Sequence, residues 1–157
     1  MLLVDRVVAA RADEERARLT RALAVRAMVL TGHTQEQVGD QLGITQPAIS
    51  QLVKGAKRVA TMEPSEVVTA AAPIIKDVAE EFGFTDVAVF GSIARGQGTA
   101  TSDVDLLVRP PKGATLGDFE KLRLILSELL GRPVDVVSYG GLKPVIDDDI
   151  KREAILL

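Results

Sequence analysis

The sequence predicts a two-part α+β molecule: an all-α front followed by a small α/β or α+β back. Three observations carry that prediction. Apolar residues recur at helical spacing through the first third of the 157 residues. A polar, proline-containing stretch without periodicity, "GAKRVATMEPS", follows. Beyond one more helix, the apolar period changes to that of strands after Gly83. The expected division is 1–58, a linker at 59–64, and 65–157.

Taken in order, residues 5–31 read as one or two helices, with Val7, Val8, Leu19, Leu23, Val25, Met28 and Val29 as the apolar positions and Gly32 as the stop. Thr34 opens a short helix, with Gln37 placed to complete a capping box. A further helix follows "GIT", with Pro47 in its first turn, where a missing N–H is harmless. From Ser65 to Phe82 the pattern is again helical, with Val67, Val68, Ala71, Ile74, Ile75, Val78 and Phe82 on one face. Strands are expected at 86–91, 103–108 and 133–139, with helices over 116–130 and 142–151 and an apolar tail "AILL".

Composition narrows the function classes. Without cysteine there is no disulfide frame and no thiolate metal site. No apolar run approaches the ~20 residues of a membrane span, and the start lacks the apolar core of a signal peptide. A cytoplasmic protein with no membrane partner is the expectation. Residues 1–62 hold nine Lys/Arg against six Asp/Glu, a net of +3, whereas 63–157 hold ten against sixteen, a net of −6. A basic front and an acidic back suggest two units with different partners, although chance scatter gives the same figures.

The run Gln35–Lys54 has the internal logic of a helix-turn-helix. Val38, Leu42, Ile44, Ile49 and Leu52 are the expected buried positions, Gly43 sits where the turn needs positive φ, and Gly39 where the helices approach closely. Over residues 15–58 the sequence resembles the Cro/phage-repressor class of DNA-binding domains. The resemblance implies that the second helix enters the major groove, with Gln46, Ser50 and Gln51 at base edges, Gln35 and Thr45 at the backbone, and Lys54, Lys57 and Arg58 near phosphates. The competing reading is a solvated helix face or a protein contact. The second helix carries no arginine, so tight DNA binding needs a dimer or larger assembly, for which residues 3–14 supply either the interface or extra core.

The segment "VAVFGSIARGQGTATSDVDLLV" carries the back half. Residues two apart on a strand share a face, roughly 7 Å apart along it. Asp103 and Asp105 therefore project together while Val104 and Leu106 point inward. Asp135 likewise interrupts the apolar strand "PVDVVSY". If that strand neighbours 103–108, three carboxylates converge, and their repulsion calls for a hard cation such as Mg²⁺, which favours carboxylate and phosphate oxygens. Gly91-Ser92 ends a strand at a helix start, where free N–H groups and the Ser92 hydroxyl suit phosphate, and Arg95 adds positive charge one turn on. Read singly, Asp103 is a strand-entry cap and Asp105 an exposed strand residue. Gly96-Gln97-Gly98 lacks the third glycine of a dinucleotide fingerprint, and no P-loop is present. His33 reads as a local cap, Asp147-Asp148-Asp149 as a solvated helix segment, and Tyr139 as a packing residue.

"GSIARGQGTATSDVDLLV", with Arg95-Gly96 and Ser102, and Asp135 on a later strand, resembles the nucleotidyltransferase superfamily of DNA polymerase β. "LKPVIDDDIKREAILL" further resembles its minimal members, so the likeness covers residues 65–157. The resemblance implies a small domain with a mixed sheet and a two-metal transfer. Asp103 and Asp105 hold both ions, Asp135 holds the catalytic one and acts as base, and Gly91, Ser92 and Arg95 bind the β- and γ-phosphates of ATP. Few residues follow Asp135, so the acceptor site is expected to come from another molecule. Minimal nucleotidyltransferases of this kind pair with small helical HEPN toxins. The resemblance thus implies an antitoxin that transfers AMP to a toxin tyrosine and binds operator DNA, as a homo-oligomer or a hetero-oligomer with the toxin. Two alternatives stay open: a DNA-binding regulator whose transferase-like domain senses nucleotide without turnover, and a nucleotidyltransferase acting on an antibiotic.

Overall fold

The computed structural model describes residues 1–145 and 147–157. It is a helix-rich α+β fold around a mixed four-stranded sheet. The first helix, α1 (Leu2–Leu30), runs unbroken, and α2 (Gln35–Leu42) and α3 (Gln46–Ala56) follow. Thr34 and Gln37 form the full capping box, and Thr45 caps α3 with its hydroxyl. Gly43 closes α2 at φ +69°, where a side chain is disfavoured. A Cβ on Gly39 would lie 2.7 Å from the Ile44 carbonyl oxygen, so glycine is what lets the turn fold back over α2.

The next helix, α4 (Pro64–Glu81), leads into β1 (Thr85–Phe90), the four-residue α5 (Gly91–Ala94) and β2 (Val104–Arg109). Then come α6 (Leu116–Leu130), β3 (Val134–Ser138), α7 (Asp148–Glu153) and β4 (Ile155–Leu156). The sheet order is β3-β2-β1-β4. Here β1 is antiparallel to both β2 and β4, and β2 and β3 run parallel through the α6 crossover. The two central strands are largely buried, as strands covered on both faces require. Leu122, Leu126, Leu129 and Leu130 of α6 and Val67, Ala71, Ile75 and Val78 of α4 meet Val104, Leu106 and Val108 in the main core. Phe84 meets Phe119 edge-on at 5.1 Å.

Several expectations need correction. Val7 and Val8 are exposed, because the N-terminal half of α1 extends past the core that Leu19, Leu23 and Ala27 enter. Leu42 and Ile44 are also exposed: Val38 and Ile49 fill the small α1–α2–α3 core, and the two displaced side chains rim a groove of about 840 Å³ against α1. The stretch expected as a linker is folded in part. Residues Lys57–Thr61 form a 3-10 helix with Val59 wholly buried, and the buried Arg132 donates to the Val59 and Met62 carbonyl oxygens at 2.8 and 3.0 Å. The helix expected at 142–151 lies later, at Asp148–Glu153, after a 3-10 turn at Tyr139–Gly141. The apolar tail is a strand, with Leu156 opposite Ala88 and Ile155 opposite Val89. No helix among the described residues is long and apolar enough to cross a membrane.

Candidate active site

Parallel pairing of β2 and β3 sets Asp105 directly beside Asp135, with Val104 beside Val134 and Leu106 beside Val136. Adjacent strands lie about 4.8 Å apart, so the register alone brings two carboxylates together. Asp103 stands just before β2, delivered by a loop in which the Ser102 hydroxyl accepts from Thr99 N–H at 2.7 Å and Ser102 N–H donates to the Thr99 carbonyl at 2.9 Å. Asp103 and Asp135 are exposed, whereas Asp105 is half-buried. Burial, then the charges of Asp135 and Asp103, push the Asp105 carboxyl above its ordinary value, and Arg95 partly offsets them. Three acidic groups thus bear on one point.

The Gly91 turn completes the face. Phe90 lies opposite Asp105, and Gly91 follows at φ +74°. A Cβ there would collide with the Asp105 Oδ2 oxygen. Glycine is therefore required twice, for the backbone conformation and for the carboxylate seated against it. The turn differs from expectation in one respect. Gly91 N–H is not free, but donates to Glu153 Oε1 at 3.0 Å. Arg95 reaches the same carboxylate, with Nη1 at 3.2 and 3.0 Å from its two oxygens. These bonds, from Arg95 first and Gly91 second, hold Glu153 below the usual carboxylate range. Among the described residues, no hydrogen bond uses the Ser92 hydroxyl.

Sequence reasoning missed Glu153 because its partners lie 58 and 62 positions away. Its one signal was a carboxylate on a helix just before a short apolar tail. Gln97, which accepts from Arg95 Nε at 3.2 Å, was missed too. Of the front residues, Gln46 Nε2 donates to Gln35 Oε1 at 2.8 Å, which joins the starts of α3 and α2. Thr45 spends its hydroxyl on the α3 cap, Gln51 and Lys54 are exposed, and Ser50 is half-buried. Tyr139 donates to the Asp86 carbonyl oxygen at 2.9 Å and lies beneath Arg109, a packing role.

Among the described residues, no three acidic or imidazole groups form a ready-made metal cage. The donor set nevertheless fits Mg²⁺: every group is a hard oxygen, and this ion binds through one or two carboxylates together with substrate phosphates rather than through an all-protein shell.

A family model described as "Nucleotidyltransferase domain" matches residues 72–157, more than half of the chain. The chain belongs to the nucleotidyltransferase domain family. The matched span includes the Gly91 turn and all three aspartates. The nucleotidyltransferase is 40% identical over 73 residues to a "Putative protein adenylyltransferase" of Methanocaldococcus jannaschii, covering 46% of this chain and 78% of that one. It is 39% identical over 80 residues to the protein adenylyltransferase MntA of Thermococcus cleftensis, covering 51% and 81%. A solved structure described as a "putative minimal nucleotidyltransferase" superposes with a TM-score of 0.56 at 42% identity, over 61% of this chain and 97% of that one. This chain is therefore an enzyme that acts on a nucleotide, and these relatives match it over about half its length.

Proposed function

We propose that this nucleotidyltransferase is a Mg²⁺-dependent protein adenylyltransferase that moves AMP from ATP onto a tyrosine of a small helical HEPN-type toxin and so serves as its antitoxin. The observation that carries the reading is the β2–β3 register, which sets Asp105 beside Asp135 with Asp103 at the strand entrance. The names of the relatives support protein as the acceptor.

In this reading Asp103, Asp105 and Asp135 hold the divalent ions, which when bound supply charge neutralisation for the phosphates. Arg95 and the Ser92 hydroxyl take β- and γ-phosphate oxygens. The acceptor's tyrosine oxygen attacks the α-phosphorus, the bond from that phosphorus to the α,β-bridging oxygen breaks, and pyrophosphate leaves. The hydroxyl proton passes to Asp135, whose exposed place on β3 leaves it open to an acceptor from outside. A protein acceptor suits so open an acidic face.

The front of the chain is proposed to bind operator DNA, giving autoregulation in the cytoplasm, as a homo-oligomer or in complex with the toxin. Support comes from the two capped helices, the Gly39 approach and the exposed Gln46, Gln51 and Lys54 on α3. One experiment separates the readings. The chain is co-expressed with a candidate HEPN-type protein and supplied with α-labelled ATP. Label on that protein, lost in Asp103→Ala, is the expected result. Label confined to a small molecule points to antibiotic modification. Binding to upstream DNA without any transfer points to a regulator that only senses nucleotide.

A further inference from the structure

Arg95 is held from two edges. Its Nε donates to Gln97 Oε1, and its Nη1 is shared between both oxygens of Glu153. Among the described residues, no hydrogen bond or salt bridge uses Nη2. Although its side chain is 47% exposed, a guanidinium held at two of its nitrogens has given up part of its rotational freedom before any ligand arrives, yet keeps one nitrogen with two donors. Orienting such a fork in advance lowers the cost of each bond it later makes to a phosphate.

Glu153 is itself fixed by the sheet. It ends α7, and β4 begins two residues later, with Ile155 and Leu156 opposite Val89 and Ala88 and Leu157 N–H donating to the Val87 carbonyl oxygen at 3.0 Å. Strand β1 therefore carries the Gly91 turn at its end and, along its edge, the tail that places Glu153. The carboxylate bridges the two by accepting from Gly91 N–H. Placing a further negative charge near Asp105 is unfavourable by itself. The bond pattern shows what offsets it: among the described residues, every polar contact of Glu153 goes to Arg95 or to the Gly91 turn.

We propose that Glu153 is a positioning residue for the triphosphate: with Gln97 it locks the Arg95 guanidinium so that Nη2 meets the β- or γ-phosphate, and it pins the Gly91 turn beside the acidic face. The proposal rests on the nucleotide-transfer reading above. It assigns the C-terminal tail, which carries none of the metal-holding aspartates, a part in selecting triphosphate over monophosphate.

The test is equilibrium binding of ATP and of AMP, each with MgCl₂, to the full chain by titration calorimetry. It compares wild type, Glu153→Ala, Glu153→Gln, Arg95→Ala and the Glu153→Ala/Arg95→Ala pair. Wild type is expected to prefer ATP. Glu153→Ala weakens ATP binding about tenfold, the scale of a lost bond to a charged group, and leaves AMP binding unchanged. Arg95→Ala does the same, and the pair loses far less than the product of the two single losses, because most of the Glu153 effect runs through Arg95. Glu153→Gln, which keeps size and one acceptor oxygen, falls between, and it carries the test if Glu153→Ala does not fold.

Three results overturn the proposal. One is ATP binding equal to or tighter than wild type in Glu153→Ala, which makes the carboxylate an obstruction at the phosphate site. A second is equal loss for AMP and ATP, which makes its role purely structural. The third is losses that multiply in the pair. Failure of wild type to bind ATP at all removes the nucleotide reading together with this one, whereas the first three leave that reading intact.

Discussion

Asp105 shows at one residue how the site's chemistry opposes its stability. Its carboxyl is raised above the ordinary value of 3.8, first by burial and then by Asp135 and Asp103. The folded chain therefore holds this proton more tightly than the unfolded chain. Between the ordinary and the raised value, stability falls as pH rises and returns on acidification. Asp105→Asn removes that loss. In metal-free buffer at pH 7 the variant is expected to melt above wild type, with the gap closing near pH 4, while Mg²⁺ with ATP raises the melting temperature of wild type more than that of the variant. Melting curves at the two pH values check both; a variant less stable than wild type at pH 7 contradicts the account. Asp105 and Asp135 were legible as residues that interrupt apolar strands, whereas their standing side by side depends on β2 pairing with β3. Glu153 was not, because its position depends on β4 pairing with β1, and a two-residue strand leaves no period to read.

At the scale of elements, the pair α2–α3 was legible where local chemistry dictates conformation. The Thr34–Gln37 box, the Thr45 cap and the left-handed Gly43 are all local and all present. The burial of Leu42 and Ile44 was misjudged because it depends on where α1 lies, which the spacing within α2 and α3 does not encode. Gly39 gives the direct check. A methyl group there must push against the Ile44 carbonyl, a backbone atom that cannot turn aside. Gly39→Ala is expected to cost about 1–3 kcal/mol in urea unfolding, the usual range for overpacking, although alanine is the better helix former. A neutral or stabilising result means that α3 stands farther from α2 than described.

Across the whole molecule, front and back meet through two buried arginines. Arg26 of α1 reaches Glu128 of α6 at 3.4 Å, and Arg132 holds the 3-10 turn through the Val59 and Met62 carbonyls while its Nε and Nη1 find no partner among the described residues. Burial lowers the Arg132 pKa, with Glu63 acting against it. The main core likewise runs from Leu19, Leu23 and Ala27 through Val59 to α4, α6 and the sheet. The folded turn at 57–61 was not legible because a 3-10 segment is too short to show a period and its anchor, Arg132, lies 70 to 73 positions away. Arg132→Met is expected to cost about 1–3 kcal/mol, leaving two carbonyls without their donor. Denaturant unfolding of wild type is expected as one transition, with Tyr139 fluorescence and helical circular dichroism coinciding. Separate transitions contradict a shared core.

The central claim is that aspartates from two strands hold a metal–nucleotide together. Binding of Mn²⁺, followed by its electron paramagnetic resonance signal in the presence of a non-hydrolysable ATP analogue, tests it most directly. Wild type is expected to take up the ion with the nucleotide, and Asp105→Asn and Asp135→Asn each to weaken that uptake on the order of tenfold or more. Unchanged Mn²⁺ affinity in both variants would contradict the account.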